Sequence, residues 1–353
     1  PIFQLENSSP SRSEDFEDTL TINIIPVPNY PPDDENDQIV QYTIDPDSVS
    51  VEGFVNISID EDTGTITIVK TDNGNGIQEF SVIADDQIET YSMNFELTIQ
   101  AENDAPIISS EETTLEAINE NEIYATGNSI LNLFQNNFDD SIDAMNVAIE
   151  GGSSANNLAG IIIKRDNSYN NATSFYDTGM WQYSSDGGLP WVNFEDLNLD
   201  INLQSDKYFF LPQDAYIRFN AIVQNWNGAP GTLVSHLVDD SGVLPNSPQY
   251  IEGLDFSEFG GNSQYSSNTV ALSINISPVN NAPIATIENI ELAPIDEDNT
   301  TFEGNSIQDL FSLYFDDSLD DILGGSEANN FIGVVISENN SISNQGVWQY
   351  LSS

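Results

Sequence analysis

Short runs that alternate apolar and polar residues fill much of the chain. "VNISI" (Val55–Ile59), "GTITIVK" (Gly64–Lys70), "QEFSVIAD" (Gln78–Asp85) and "SMNFELTIQ" (Ser92–Gln100) each put every second side chain on one face. That is the pattern of a half-buried strand. "TINIIPV" (Thr21–Val27) and "IVQYTI" (Ile39–Ile44) read the same way. Gly, Asn, Asp and Pro separate the runs at short intervals, with "DEDTGTI" at Asp60 and "DNGNG" at Asp72 as turn chemistry. Regular short strands with turns between them predict an antiparallel sandwich. One segment breaks the period of two: Ile130, Leu133, Phe134 and Phe138 fall at i, i+3, i+4 and i+8, which predicts a short helix.

Comparing the chain with itself exposes a repeat. "GNSILNLFQNNFDDSID" at Gly127 returns as "GNSIQDLFSLYFDDSLD" at Gly304, and Pro106 of "ENDAP" returns as Pro283 of "VNNAP", in both cases 177 residues later. "GGSSANNLAGIII" at Gly151 returns as "GGSEANNFIGVVI" at Gly324, and "GMWQY" at Gly179 as "GVWQY" at Gly346. Matched blocks in one order mark repeated structural units. The expected organisation is a sandwich over 1–104, a longer β unit over 105–281, and a truncated second copy over 282–353. The expected fold class is therefore all-β, tandem antiparallel sandwiches in an extended chain with one short helix in the long repeat. The chain lacks an initial Met and a signal peptide, so we expect a fragment of something longer.

Charge changes the picture. The 353 residues carry 58 acidic against 6 basic side chains, a formal charge of -52. Such a surface repels nucleic acid and anionic membranes. No run is long enough for a transmembrane helix, so no direct membrane insertion is expected of this segment. Hydrophobic residues are 39% and aromatics 10%, enough to build cores. A folded chain this acidic calls for cations, and calcium prefers carboxylate and carbonyl oxygens. The absence of cysteine removes disulfides, thiolate metal sites and thiol catalysis.

"EDTLTI", "ADDQIE" and "ENDAP" resemble motifs of the cadherin-like and Ig-like tandem domains of giant bacterial surface adhesins. "GMWQYSSDGGLPW", "YIRFNAIVQNWNGAPG" and "LVDDSG" resemble a companion repeat of the same proteins. The Asn, Asp and Ile bias and the scarcity of Lys and Arg resemble those of a marine bacterium or a member of the Bacteroidetes, and in that group such repeats occur in SprB-type gliding-motility adhesins exported by type IX secretion. The resemblance implies an extracellular, cell-surface string of sandwiches with calcium at each junction.

Calcium takes six to eight oxygens, more than one loop supplies, so ligands should come from both units and the linker. For the first junction the candidates are Glu17, Asp85, Asp86, Glu102, Asn103 and Asp104, with Glu120 or Glu122. For the second they are Glu120, Asp239, Asp240, Asn280, Asn281, Asp296 and Glu297. Asn281 stands where Asp104 stands, so the second site should be weaker or differently occupied. Asp139, Asp140 and Asp143, with their counterparts Asp316, Asp317 and Asp320, form a further acidic knot.

Trp191 and Trp226 could stack on sugar rings, although recurring aromatics such as Trp181 and Trp348 read first as packing. His236 has no Ser-His-Asp setting and reads as a strand histidine. Arg218 reads as a buried ion-pair residue. No catalytic residues are expected. The leading function is a calcium-rigidified extender of an adhesin or filament, with surface glycans or other cell-surface proteins as possible partners. The alternatives are a carbohydrate- or peptide-binding module and an accessory region of a secreted hydrolase.

Overall fold

A computed structural model describes the chain apart from residues 18, 28–38, 48–50, 52, 146–147, 171–174, 195–206, 255–257, 302, 343 and 352–353. The protein is all-β: tandem sandwiches with two short helices, Ile130–Phe134 and Ile307–Phe311. In the first unit, a four-stranded sheet runs Ser11–Ser13, Thr90–Gln100, Gly76–Asp85, Gln41–Asp45, and faces a three-stranded sheet of Leu20–Ile22, Ile66–Lys70 and Val55–Ile59. The alternation becomes burial. Phe80, Val82 and Ala84 point into the same core as Phe95, Leu97 and Ile99, while the residues between them face outward. "TINIIPV" is not one strand. Leu20–Ile22 pairs with Ile66–Lys70, and Ile24–Pro26 pairs with Phe3–Leu5. The chain changes partner at Asn23, whose side-chain amide donates to Glu6 Oε2 at 2.9 Å.

The long unit has a six-stranded sheet in the order Glu112–Thr114, Val270–Ser273, Leu233–Asp239, Leu158–Asp166, Lys207–Pro212, Gln249–Glu252. A four-stranded sheet of Asn128–Ser129, Tyr216–Ala221, Gly179–Ser184 and Val192–Asn193 covers one of its faces. Ile161 and Ile163 enter the core between the sheets, and Ile162 enters a second cluster with Tyr208, Phe210, Val238 and Tyr265. A strand covered on both faces loses its alternation, which is why "GIII" is a continuous apolar run. Trp181 is fully buried, edge-on to Phe219, with its indole N–H donating to Gly231 O at 3.1 Å. Ile130, Leu133 and Phe134 bury the helix, but Phe138 lies beyond it in a strand paired with Ile107–Ile108. No described helix is long and apolar enough to cross a membrane.

In each of the first two units a short strand runs parallel to the final strand: Ser11–Ser13 beside Thr90–Gln100, and Ile118–Asn119 beside Ile276–Ser277. Each short strand delivers a glutamate to the end of its unit. Glu14 N–H donates to Gln100 O at 2.9 Å, and Glu120 N–H to Ser277 O at 3.0 Å.

Candidate functional site: two joints built on one circuit

At the first joint, Glu14 is buried although it is charged. Its Oε1 accepts from Glu102 N at 2.8 Å, and its Oε2 accepts from Asn75 Nδ2 at 2.8 Å. Asn75 also donates to Ser153 Oγ at 2.8 Å and accepts from Ser153 N at 2.7 Å, so one amide ties the first unit to the second. Gly76 follows at φ 125°, and a Cβ there would meet Ile149 and the Glu150 carbonyl. That approach requires glycine. Met145 and Ile149 of the long unit pack on the core of the first.

The long unit supplies the opposing carboxylates. Asp140 precedes the 3-10 turn Ser141–Asp143 and Asp143 ends it. Side chains three apart eclipse in a 3-10 turn, so both carboxylates fall on one side. Asp143 Oδ1 accepts from Asp104 N at 2.8 Å, and its Oδ2 accepts from Asn156 Nδ2 at 2.9 Å. The same Asn156 amide donates to Asn103 Oδ1 at 3.0 Å, and Asn156 N donates to Asp140 Oδ2 at 2.6 Å. A loop of the long unit braces the linker: Gly261 O accepts from Ala105 N at 2.7 Å, and Ser263 O accepts from Asn103 Nδ2 at 3.0 Å. Asn262 Nδ2 donates to Asp15 Oδ2 of the first unit at 2.9 Å.

These carboxylates disturb one another. Burial, with the charges of Asp143 and Asp239 added, pushes the Asp140 carboxyl up to about 7 against the bond from Asn156. Asp143 is raised by burial and by Asp104, Asp239 and Glu14. Asp104 is raised by burial and by Asp15 and Glu14, and Asp239 by burial and by Asp240. Asp140 Oδ1 and Asp239 Oδ2 are buried with no hydrogen-bond partner, while Asp239 Oδ1 accepts from Ser241 N at 2.8 Å and the Asn103 side chain lies close enough to lower the Asp239 carboxyl. Among the described residues no basic side chain pairs with these acids: the salt bridge found joins the Pro1 amine to Asp86 at 3.6 Å. Nor do three or more His, Cys, Asp or Glu side chains stand already gathered as a metal group. The donors are all carboxylate or amide oxygens, a set suited to a hard cation such as calcium.

The second joint repeats the circuit. Asn227 donates to Glu120 Oε2 at 2.6 Å and to Ser326 Oγ at 2.9 Å, and accepts from Ser326 N at 2.7 Å. Asp320 Oδ1 accepts from Asn281 N at 3.0 Å, Asp317 Oδ2 from Asn329 N at 2.6 Å, and Asn280 Oδ1 from Asn329 Nδ2 at 3.2 Å.

Several expected ligands lie elsewhere. Asp85 and Asp86 close the turn 85–89, accepting from the N–H groups of Gln87, Ile88 and Glu89. They end a ten-residue strand that starts beside the joint at Gly76, so they sit about 30 Å away at the N-terminal end of their unit. Asp239 and Asp240 occupy the same place in the long unit. They therefore belong to the first joint, not the second, and Asp240 accepts from Asn157 N at 2.8 Å. The Asp-Asp pair thus faces the N-terminal end of its unit, opposite to the expectation from sequence.

Glu120 belongs to the second joint alone. Glu122 accepts from Asn119 N at 3.0 Å as a local turn, and Glu17 is exposed where Glu14 is buried. Glu102 contributes its N–H, not its carboxylate. Asp296 and Glu297 are exposed, and Glu297 is the repeat counterpart of Glu120. Asp139 and Asp316 each cap their own turn, at 2.9 Å to Ser141 N and Ser318 N, leaving two carboxylates of each knot for the joint.

Sequence reasoning missed Glu14, Asn75, Ser153 and Asn156 with their counterparts Asn227, Ser326 and Asn329. The repeated "GGSxANN" and the Asn-Gly pairs of "DNGNG" and "NWNG" were the available signal.

The other singled-out residues are structural. The Arg218 guanidinium lies 4.2 Å from the Trp191 ring and 4.4 Å from the Tyr124 ring, and its Nε donates to Gln182 Oε1 at 2.7 Å. It thus uses aromatic faces and an amide where an ion pair was expected. Trp226 packs against the core. His236 is buried, shares a 2.7 Å hydrogen bond between Nδ1 and Ser266 O, and lies against Phe259.

No family model matches the chain, and no curated protein matches it. Among solved structures the chain is similar to mouse protocadherin-24 EC1-3, with 15% identity, TM-score 0.39, and coverage of 85% of this chain and 71% of that one. It is also similar to human protocadherin-24 EC1-2, with 11% identity, TM-score 0.35, and 78% and 97% coverage. Drosophila N-cadherin EC1-4 follows with 11% identity, TM-score 0.33, and 78% and 50% coverage. Scores and identities this low transfer no ligand, partner or residue role.

Proposed function

We propose that this chain is an extracellular, cadherin-like extender whose sandwiches are clamped end to end by calcium. The observation that carries the reading is the pair of buried, unpartnered carboxylate oxygens, Asp140 Oδ1 and Asp239 Oδ2, beside Asp143 and Asp104. Buried carboxylates without partners are costly unless a cation compensates them. At the first joint Glu14, Asp104, Asp140, Asp143 and Asp239, with the Asn103 carbonyl, would hold the ion. Glu120, Asp317, Asp320 and Asn280 stand in the same places at the second. Bound calcium supplies positive charge and oxygen coordination shared between units. The chain's own part is to deliver one glutamate from the unit before, the Asn-Asp linker, and an eclipsed Asp pair from the unit after.

The role that follows is mechanical: setting reach and stiffness in a repetitive surface adhesin or filament of the type IX-secreted gliding kind. X-ray scattering with 1 mM calcium and with EDTA tests this. The reading predicts a longer, stiffer particle in calcium; identical profiles would reject it. A sugar-stacking role for Trp191 and Trp226 is not retained, because Arg218 lies against the one ring and the core against the other.

A further inference from the structure

Resting on that reading, we propose that the two joints differ in kind: Asp104 makes the first dependent on a cation, whereas Asn281 closes the second without one. Six positions of the circuit recur at both joints. Glu14 answers to Glu120, Asn75 to Asn227, Ser153 to Ser326, Asp140 to Asp317, Asp143 to Asp320 and Asn156 to Asn329. Among these shared positions the departure lies in the linker; Asp239 joins the first joint in addition.

Both linkers give a backbone N–H to the aspartate of the following unit, at 2.8 Å from Asp104 and 3.0 Å from Asn281. The side chains then diverge. The Asn281 amide donates to Asp320 Oδ1 at 3.0 Å and to Glu120 Oε1 at 3.2 Å. One neutral group thus links a carboxylate of the unit before the joint to a carboxylate of the unit after it. Two acceptors that would repel each other share a donor.

An ionised Asp104 has no donor to offer. Its carboxylate adds a charge where Glu14, Asp15 and Asp143 already stand, and Glu14 Oε1 instead takes the Glu102 backbone N–H. Side-chain linkage of Glu14 to Asp143 then needs a positive charge from outside the chain. A string built of both kinds of joint has segments that loosen when calcium falls and segments that hold.

Hydrogen exchange on the 353-residue chain, read at peptides covering 100–106 and 278–284, tests the inference. Wild type should lose protection at the first joint by tenfold or more when EDTA replaces calcium, and by less than twofold at the second. Asn281→Asp should make the second joint calcium-dependent, and Asp104→Asn should keep the first protected in EDTA. Equal losses at both wild-type joints would overturn the inference and leave the calcium clamp standing. No change at either joint, together with no calcium binding by calorimetry, would reject the clamp itself and the inference with it. Should Asn281→Asp unfold its joint in both conditions, Asp104→Asn decides: a first joint still unprotected in EDTA overturns the proposal.

Discussion

The two copies of the long repeat, compared over the residues both contain, share their joint and their local pieces but differ in what covers them. In the first copy Trp181 is 0% exposed and Ile130 0%; their counterparts Trp348 and Ile307 are 71% and 45% exposed. The strands that cover Trp181 have no counterparts within residues 282–353. Yet the local pieces recur. Ser129 Oγ accepts from Asn132 N at 3.2 Å and Ser306 Oγ from Asp309 N at 3.0 Å, each capping a five-residue helix. Ile107–Ile108 pairs with Phe138–Asp139, and Ile284–Ala285 with Phe315–Asp316. The circuit common to both joints needs only the end of one unit, a linker and some fifty residues of the next. The core needs strands from the whole unit.

The largest expected effect probes that separation. Trp181→Ala should cost about 3–5 kcal/mol, as large-to-small changes in cores do, while Trp348→Ala should stay within about 0.5 kcal/mol, as at exposed sites. Urea unfolding of the two variants measures both, and equal losses would break the comparison.

Next comes the joint. Glu14→Ala removes a proposed ligand and the acceptor of the Asn75 amide and the Glu102 N–H, and should weaken calcium binding by at least the roughly 10–100-fold seen when only groups that orient a metal site are lost. Glu17→Ala, at the exposed neighbour, should leave calorimetric affinity unchanged.

A smaller effect follows from proton linkage. Folding raises the Asp140 carboxyl from 3.8 to about 7, so the metal-free folded state holds this proton more tightly than the unfolded chain. Its contribution is therefore most favourable below pH 4 and is lost as pH rises toward 7. In EDTA the chain should melt several degrees higher at pH 5 than at pH 7.5, on the order expected for about 2 kcal/mol. Asp140→Asn should flatten that slope.

The smallest effect is at the helix caps. Ser129→Ala should cost about 1 kcal/mol in global unfolding. Ser306→Ala should show only as faster local hydrogen exchange at 307–311.

The sandwich class and the repeat register were legible because alternation and self-similarity are properties of short windows. The polarity of each unit was not. Asp85 and Asp239 both end long strands, and nothing in "ADD" or "VDD" tells which end of the sandwich that strand reaches. Glu14 was hidden behind Glu17, since the exposed acid sits in the recognisable "EDTLTI" and the buried one precedes it. Asn75 sits in the turn chemistry of "DNGNG" and Asn227 in "NWNG"; their side chains serve the joint because the following glycine lets the next unit's backbone come close. Asp139, Asp140 and Asp143 looked equivalent until the 3-10 turn divided them, two on one side and one capping its own loop.

Calcium titration calorimetry at pH 7, on wild type and on Asp140→Asn with Asp239→Asn, tests the central claim most directly. The clamp predicts saturable binding in wild type and at least tenfold weaker binding at the first joint once the two unpartnered carboxylates are neutralised. Wild type that takes up no calcium, or a double variant with undiminished affinity, would contradict it.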